Sequence, residues 1–364
     1  MKNIFGNSVS ITLFGESHGE AVGVVLDGLA PGLEVDTDYI ASQLSLRRPF
    51  GKISTARVEA DNFKILSGVF EDKTTGTPIC IIIPNENTNS RDYSETRAIA
   101  RPGHADYTAF SKYHGYEDYR GGGHFSGRIT AALVAAGAIA LTALKGKGIY
   151  IGTHILRCAK ISDKDFSENL KEEIDLLNLM PFAVLDSSAG EEMKKAIEKA
   201  TLDRDSVGGV LETAVLGMPS GVGEPWFDTL EGVLSHILFS IPAIKGVEFG
   251  LGFRTADGFG SEVNDAFRIE NGKIVTKTNN NGGINGGISN GMPIIFRCAV
   301  KPTPSIFKAQ KTVDFIKCKN SVLELSGRHD PAVVHRARVV VDSVTALALC
   351  DVLAGRYGTD YFKE

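Results

Sequence analysis

Tryptophan occurs once in this sequence, and cysteine five times, at positions 80, 158, 298, 318 and 350 with no Cys-x-x-Cys pair among them. An odd, widely scattered set argues against a disulfide framework or a zinc site and suits reduced thiols in a cytosol. His-Glu-x-x-His and paired-carboxylate patterns are missing too, so no metal site is expected. A formal net charge of −5 without a basic stripe argues against a nucleic-acid partner. The start, Met1-Lys-Asn-Ile-Phe-Gly, carries no signal-peptide pattern. The longest apolar run, Ile129 to Leu144, is interrupted by Thr130 and Gly137 and falls short of the roughly 20 residues a membrane span needs. A cytoplasmic protein with no membrane association is expected.

What is present is ordinary in amount and uneven in placement. Apolar residues make up 43% and charged residues 23% of 364, enough for a full core in one large domain or several smaller ones. The glycine-rich loops carry mainly arginine, whose planar fork suits phosphate and carboxylate. The chain is organised around Arg120-Gly-Gly-Gly-His-Phe-Ser-Gly-Arg128, directly before the apolar run. Glycines without Cβ atoms let backbone take positive φ and approach a ligand closely. Ser126 stands where a helix N-cap is expected, and the N–H groups there, with Arg120, His124 and Arg128, would seat an anion. A surface turn capping a buried helix is the plain alternative.

Strands are expected at 8–14, 22–27, 55–59, 64–70 and 78–83, with a short helix from Asp36 or Thr37 to Leu46. A further helix should start at Asp106. Asp165 to Leu177 and Glu191 to Leu202 are charged helical patterns that read as a solvated excursion. Beyond it the second half echoes the first: Ser206-Val-Gly-Gly-Val-Leu matches Ala21-Val-Gly-Val-Val-Leu, and Gly327-Arg-His-Asp330 matches Gly103-His-Ala-Asp106. The expected organisation is one domain over 1–364. It has similar halves at about 1–150 and 205–364, a helical excursion at about 160–204, and His104 and Asp330 on a shared cleft. The fold class is α/β: a layered sandwich of sheets around central helices, 129–144 and 332–353, with the glycine turns at one edge.

Gly15-Glu-Ser-His-Gly19 places Ser17 beside His18, but the glycine spacing of a hydrolase nucleophile elbow is missing. Gly122 to Gly127 has the G-x4-G spacing of a phosphate loop. Arg128 replaces its lysine and Ile129 its magnesium-binding hydroxyl, which disfavours a kinase. His114, His154, His236 and His335 have no chemical setting and read as structural. Asn279 to Gly291 is either a flexible linker or a loop beside the stiff Lys301-Pro-Thr-Pro-Ser305 segment. Rigid polar loops next to glycine-rich ones suggest a large, flat, phosphorylated ligand such as a nucleotide or flavin. Binding without catalysis stays open on these grounds.

Phe14-Gly-Glu-Ser-His-Gly19, Arg47-Arg-Pro49, Arg101-Pro-Gly-His-Ala-Asp106, Arg120-Gly-Gly-Gly with Ser126-Gly-Arg128, Lys301-Pro-Thr-Pro-Ser305 and Gly327-Arg-His-Asp-Pro331 together resemble the signatures of the chorismate synthase family, in its order, from residue 5 to about 355. The resemblance implies a lyase that removes phosphate from 5-enolpyruvylshikimate 3-phosphate by anti-1,4-elimination. It also implies reduced FMN as cofactor, without net redox change, and a homotetramer. By motif, His18 would protonate the leaving phosphate, His104 would balance the flavin's N1–O2 side, and Asp330 would lie near N5. Arg47, Arg48, Arg101, Arg128 and Arg328, with Ser17, would hold the anionic substrate.

Flavin contacts implied by the same resemblance are His124, Phe125, Ser126, Pro242, Ala243, Gly286, Lys301, Pro302, Thr303, Pro304, Ser305 and Arg328. Many relatives have arginine where this chain has His124, and Phe125 replaces a small polar residue; a neutral imidazole gives less charge to the FMN phosphate. Some family members reduce their flavin with NADPH and others depend on a separate flavin reductase. Where NADPH serves, Arg47 is the expected contact. No Rossmann fingerprint is present, and a compact chain without long insertions points to the reductase-dependent type.

Overall fold

The computed structural model describes residues 2–54, 60–86, 97–325 and 330–363. The expected strand 55–59, and Arg328 with it, lie outside the described residues.

The first sheet holds β1 (Ile4–Phe5), β2 (Ser10–Gly15), β3 (Ala21–Asp27), β4 (Lys64–Ser67) and, after a small hairpin of β5 (Val69–Phe70) and β6 (Lys73–Thr74), β7 (Ile79–Pro84). Its order is β1-β2-β3-β7-β4, antiparallel throughout. The expected single strand at 64–70 is broken at Gly68, whose φ is 83°, between β4 and β5. The second sheet uses β8 (Tyr150–Cys158), β9 (Ile161–Ser162), β10 (Gly209–Leu216), β11 (Ile244–Phe249) and, further on, the strand Ile294–Val300, in the order β11, Ile294–Val300, β10, β8, β9. Its first strand begins at Tyr150, ahead of the helical excursion. Buried β-branched residues fill both sheets: Val22, Val24, Ile81 and Ile83 in the first and Ile155 and Ile294 in the second are wholly buried.

The helices are α1 (Thr37–Leu46), α2 (Asp106–Tyr113), α3 (Thr130–Gly146), α4 (Leu170–Leu177), α5 (Ser187–Leu202), α6 (Leu230–Leu238), the single turn α7 (Gly260–Val263) and α8 (Val334–Tyr357). Asp36 caps α1, its carboxylate accepting from the Tyr39 N–H at 2.9 Å. Two hairpins, β12 (Phe267–Glu270) with β13 (Lys273–Thr276) and β14 (Ile284–Asn285) with β15 (Ile288–Ser289), precede the sheet strand β16 (Ile294–Val300); β17 (Gln310–Asp314) and β18 (Lys319–Leu323) form a third. The run 279–291 is therefore a built loop rather than a linker. Asp265 accepts from the backbone N–H groups of Asn280 and Asn281 there at 2.7 and 2.8 Å.

α3 packs on β3 and β7, α8 packs on β8 and β10, and the two helices pack on each other. The layers thus run sheet, helix, helix, sheet, with the apolar core between. Gly137 makes the helix crossing close, since a Cβ there would stand 2.3 Å from the Cβ of Ser343. The stretch Gly127–Gly146 is 20 residues long with a mean hydropathy of 1.7, so by length and composition it could cross a bilayer, contrary to the shorter count above. It is instead the core helix, 78% buried between the sheets.

Candidate active site

The glycine loop is a tight turn before α3, not part of it. Gly121, Gly122 and Gly123 take φ of 59°, 94° and 52°, the left-handed region that favours glycine. Ser126 accepts from the Arg128 N–H at 3.2 Å and caps a short 3-10 turn, Gly127–Ile129; the α-helix begins only at Thr130. His18 and His104 flank this turn: the His18 ring packs over Gly121 and the His104 ring over Gly122.

Beside the turn opens a cavity of about 1260 Å³. Arg47, Arg48, Arg101, Arg128, His104 and Asp330 reach its wall. His124, Phe125 and Ser126 join them from the turn, and Pro242, Ala243, Lys301, Thr303, Pro304 and Ser305 from the other side. The Lys301 N–H donates to the Ala243 carbonyl at 2.9 Å, and its Nζ donates to the Gly103 carbonyl, which ties three of these strips together. Four expected residues do not line the wall. Ser17 and His18 lie buried behind Gly121, because that glycine has no side chain to hold them off. Pro302 is passed over between Lys301 and Thr303. Gly286 lies in the β14–β15 turn, whose neighbour Gly287 accepts from Leu230 at the start of α6, while the cavity meets the residues at the other end of that helix.

Several polar groups of the wall are fixed in advance. His104 donates from Nδ1 to Asp106 Oδ1 at 2.8 Å, and Arg101 holds the same carboxylate through Nε at 2.8 Å and Nη2 at 2.6 Å. Burial works to raise the Asp106 pKa, but bonds from Arg101 and His104 outweigh it and hold the group well below the usual carboxylate range. His124 donates from Nδ1 to the Gly15 carbonyl at 2.8 Å. Ser17 Oγ sits 3.1 Å from His18 Nδ1 and donates to the Arg120 carbonyl at 3.2 Å, so the imidazole N–H points at the hydroxyl oxygen.

Sequence reasoning passed over Asp61, Asn85, Arg336 and the cleft-side position of His236. Arg336 donates from Nε to the Arg47 carbonyl at 2.7 Å and pairs through Nη1 with Asp330. Its only signal was a basic residue in the first turn of a helix, where the dipole disfavours positive charge.

Residues 9–354 match the family model "Chorismate synthase". The chorismate synthase of Pyrococcus abyssi is 48% identical over 351 residues, covering 96% of this chain and 97% of that one. Those of Lachnoclostridium phytofermentans and Dehalococcoides mccartyi are 47% and 46% identical over 99% and 97% of this chain, and over 98% and 96% of their own lengths. This chain belongs to the chorismate synthase family. A solved structure described as "Crystal Structure of Chorismate Synthase" superposes with a TM-score of 0.77 at 30% identity, over 97% of this chain and 94% of the other. A chorismate synthase is a lyase: it removes phosphate from 5-enolpyruvylshikimate 3-phosphate by anti-1,4-elimination to give chorismate, the last step of the shikimate pathway.

Proposed function

We propose that the cleft binds reduced FMN and the phosphorylated substrate together, and that its own side chains hold the anions and move the protons. The convergence of Arg47, Arg128 and Arg336 with His104 and Asp330 on one cavity carries this reading. At about 1260 Å³ the space exceeds the roughly 300–1,000 Å³ of an ordinary ligand pocket, which suits two molecules side by side. The residues also fit a flavin chemically. The Thr303 hydroxyl and the Nε groups of Arg47 and Arg48 are buried at the wall with no hydrogen-bond partner among the described residues, open to ligand oxygens.

FMN would be held by His124, Phe125 and Ser126, by Pro242 and Ala243, and by Lys301, Thr303, Pro304 and Ser305, with Arg328 as a further contact. When bound and reduced, it supplies electron density to the allylic system as phosphate departs. Arg47, Arg48, Arg101 and Arg128 would hold the phosphate and carboxylates through charge-assisted hydrogen bonds, the stronger kind. His104, its Nδ1–H hydrogen-bonded to Asp106, turns Nε2 toward the glycine turn and would supply positive charge or a proton there. His18 would protonate the leaving phosphate from behind Gly121, and Asp330, steadied by Arg336, would take up the substrate proton.

The reading extends to a homotetramer in the cytoplasm. Electrons would come from a separate flavin reductase rather than from NADPH bound through Arg47. The deciding experiment is phosphate release from 5-enolpyruvylshikimate 3-phosphate under anaerobic conditions, with FMN reduced beforehand by dithionite. Release that requires reduced FMN supports the reading; NADPH with FMN alone then tests self-reduction. Binding of FMN without release would leave a non-catalytic flavin module.

A further inference from the structure

Asp61 is the least exposed charged group at the cleft, its side chain 1% accessible, between Arg47 and Arg128 at 8% and 6%. Each carboxylate oxygen takes a different arginine. Oδ2 accepts from Arg47 Nη2 at 2.9 Å, and Oδ1 accepts from Arg128 Nη1. The backbone at Asp61 has φ of 52°, a left-handed conformation that a side-chain-bearing residue adopts only where its surroundings impose it. Arg128 is held again by the Asn85 side chain at 2.9 Å and the Pro84 carbonyl at 3.0 Å. These arginines come from different parts of the fold, one after α1 and one before α3. Asp61 joins their side chains directly.

From this geometry we infer that Asp61 is a positioning residue: it fixes the spacing and facing of the Arg47 and Arg128 guanidinium groups so that the substrate's anion meets a prebuilt pair. The inference rests on the anion-holding role given above to those arginines. Two guanidinium groups this close and this buried repel each other, and only a shared acceptor lets both stay charged without water. The trio keeps one net positive charge, so it still attracts an anion. Asp61 lines the cavity, but its side chain is almost wholly covered by the two arginines it joins, which leaves their remaining N–H groups to meet a ligand. Burial alone would raise its pKa; Arg47 and Arg128 more than offset that and keep it ionised. Arg47 itself is pushed down to about 10, first by burial, which Asp61 opposes.

Asp61→Asn retains the volume but replaces one acceptor oxygen by an NH2 donor group, so one arginine must face a donor and turn away. Inorganic phosphate, assayed as a competitive inhibitor, and the substrate should each bind at least about tenfold more weakly, as expected when one partner of a buried charge pair is lost. Affinity for FMN should stay within about twofold, and Asp61→Glu should recover part of the anion affinity. In a double-mutant cycle with Arg47→Ala, the two changes should fall well short of additive. A purely structural carboxylate would lower the melting temperature while leaving phosphate and substrate affinities of the folded protein intact, and that result overturns the inference. Tighter phosphate binding in Asp61→Asn overturns it too, since the carboxylate would then be a plug. If Arg47→Ala and Arg128→Ala leave anion affinity unchanged, the clamp reading itself falls; if they weaken it and Asp61→Asn does not, only the role of Asp61 falls.

Discussion

Gly121 leaves the space that His18 fills: a Cβ at 121 would stand 2.0 Å from the imidazole Cε1 and 2.3 Å from Nδ1. The two residues come from separate turns, and the Ser17 N–H holds those turns together by donating to the Gly123 carbonyl at 3.1 Å. Gly121→Ala should therefore displace the ring and also strain a φ of 59°. Turnover with saturating pre-reduced FMN should drop by roughly a hundredfold or more, in the range for loss of a proton-transfer group, while stability falls by more than about 1 kcal/mol, since alanine is forced into a left-handed φ. Wild-type turnover in this variant would remove His18 from the chemistry.

Asp106→Asn should separate orientation from charge at His104. The amide cannot accept from both the imidazole N–H and the Arg101 fork as the carboxylate does. We expect turnover to fall roughly ten- to a thousandfold, consistent with a misplaced acid–base group, and the melting temperature to decline modestly. Because the Asp106 pKa is depressed on folding, its contribution is present above the unfolded value near 3.8 and is lost only as pH falls further toward the folded one. The wild-type site should thus hold its His104 orientation at pH 5. Proton NMR of the imidazole in wild type and variant would show a change in tautomer or environment; identical spectra and rates would count against the arrangement.

The sequence carried the framework well because its signals are local. Asp36 before α1, the short apolar runs of β3 and β7, and the apolar helices that became α3 and α8 all announce themselves within a few residues. The arginine loops were legible for the same reason, and they do meet at one cavity. Asp61 was not, because an isolated acid in a polar stretch gains meaning only from Arg47 and Arg128, which lie 14 and 67 residues away. The start of α3 was misread because Ser126 is a good cap, but of a 3-10 turn that the glycines force first. Ser17 and His18 read as wall residues until the missing Gly121 side chain let them sink behind it.

Gly137 should be intolerant of size. Its place in α3 is set against Ser343 of α8, whose Cβ and Cα lie 2.3 and 2.6 Å from where a new Cβ would be built. Both atoms belong to a buried helix, so neither can swing away as a flexible side chain could. Gly137→Ala should cost about 1–3 kcal/mol by overpacking despite the better helix propensity of alanine, and Gly137→Val more. Urea unfolding would measure it, and a stabilised Gly137→Ala would show that the two helices can separate without loss.

Two buried histidines should shape the pH dependence of stability from opposite sides. His335 is pushed down to about 3, first by burial and then by Arg336, and Ser54 Oγ lies 2.9 Å from its Nε2. Between pH 6.5 and about 3 the unfolded chain takes up a proton that the folded one refuses, so stability should fall on acidification. The slope from this group can reach about 1.4 kcal/mol per pH unit. For His154 burial would lower the pKa, but the Asp163 and Glu212 carboxylates, 2.9 and 3.1 Å from its two ring nitrogens, raise it above 6.5. Its contribution is full below pH 6.5 and is lost as pH rises through the folded value, giving an alkaline limb. His335→Gln should flatten the acid limb. His154→Gln should flatten the alkaline one and lower stability at pH 6 by about 3 kcal/mol, because two buried carboxylates lose a shared cation. Urea titrations from pH 4 to 9 test both; limbs unchanged in the variants would place the responsible protons elsewhere.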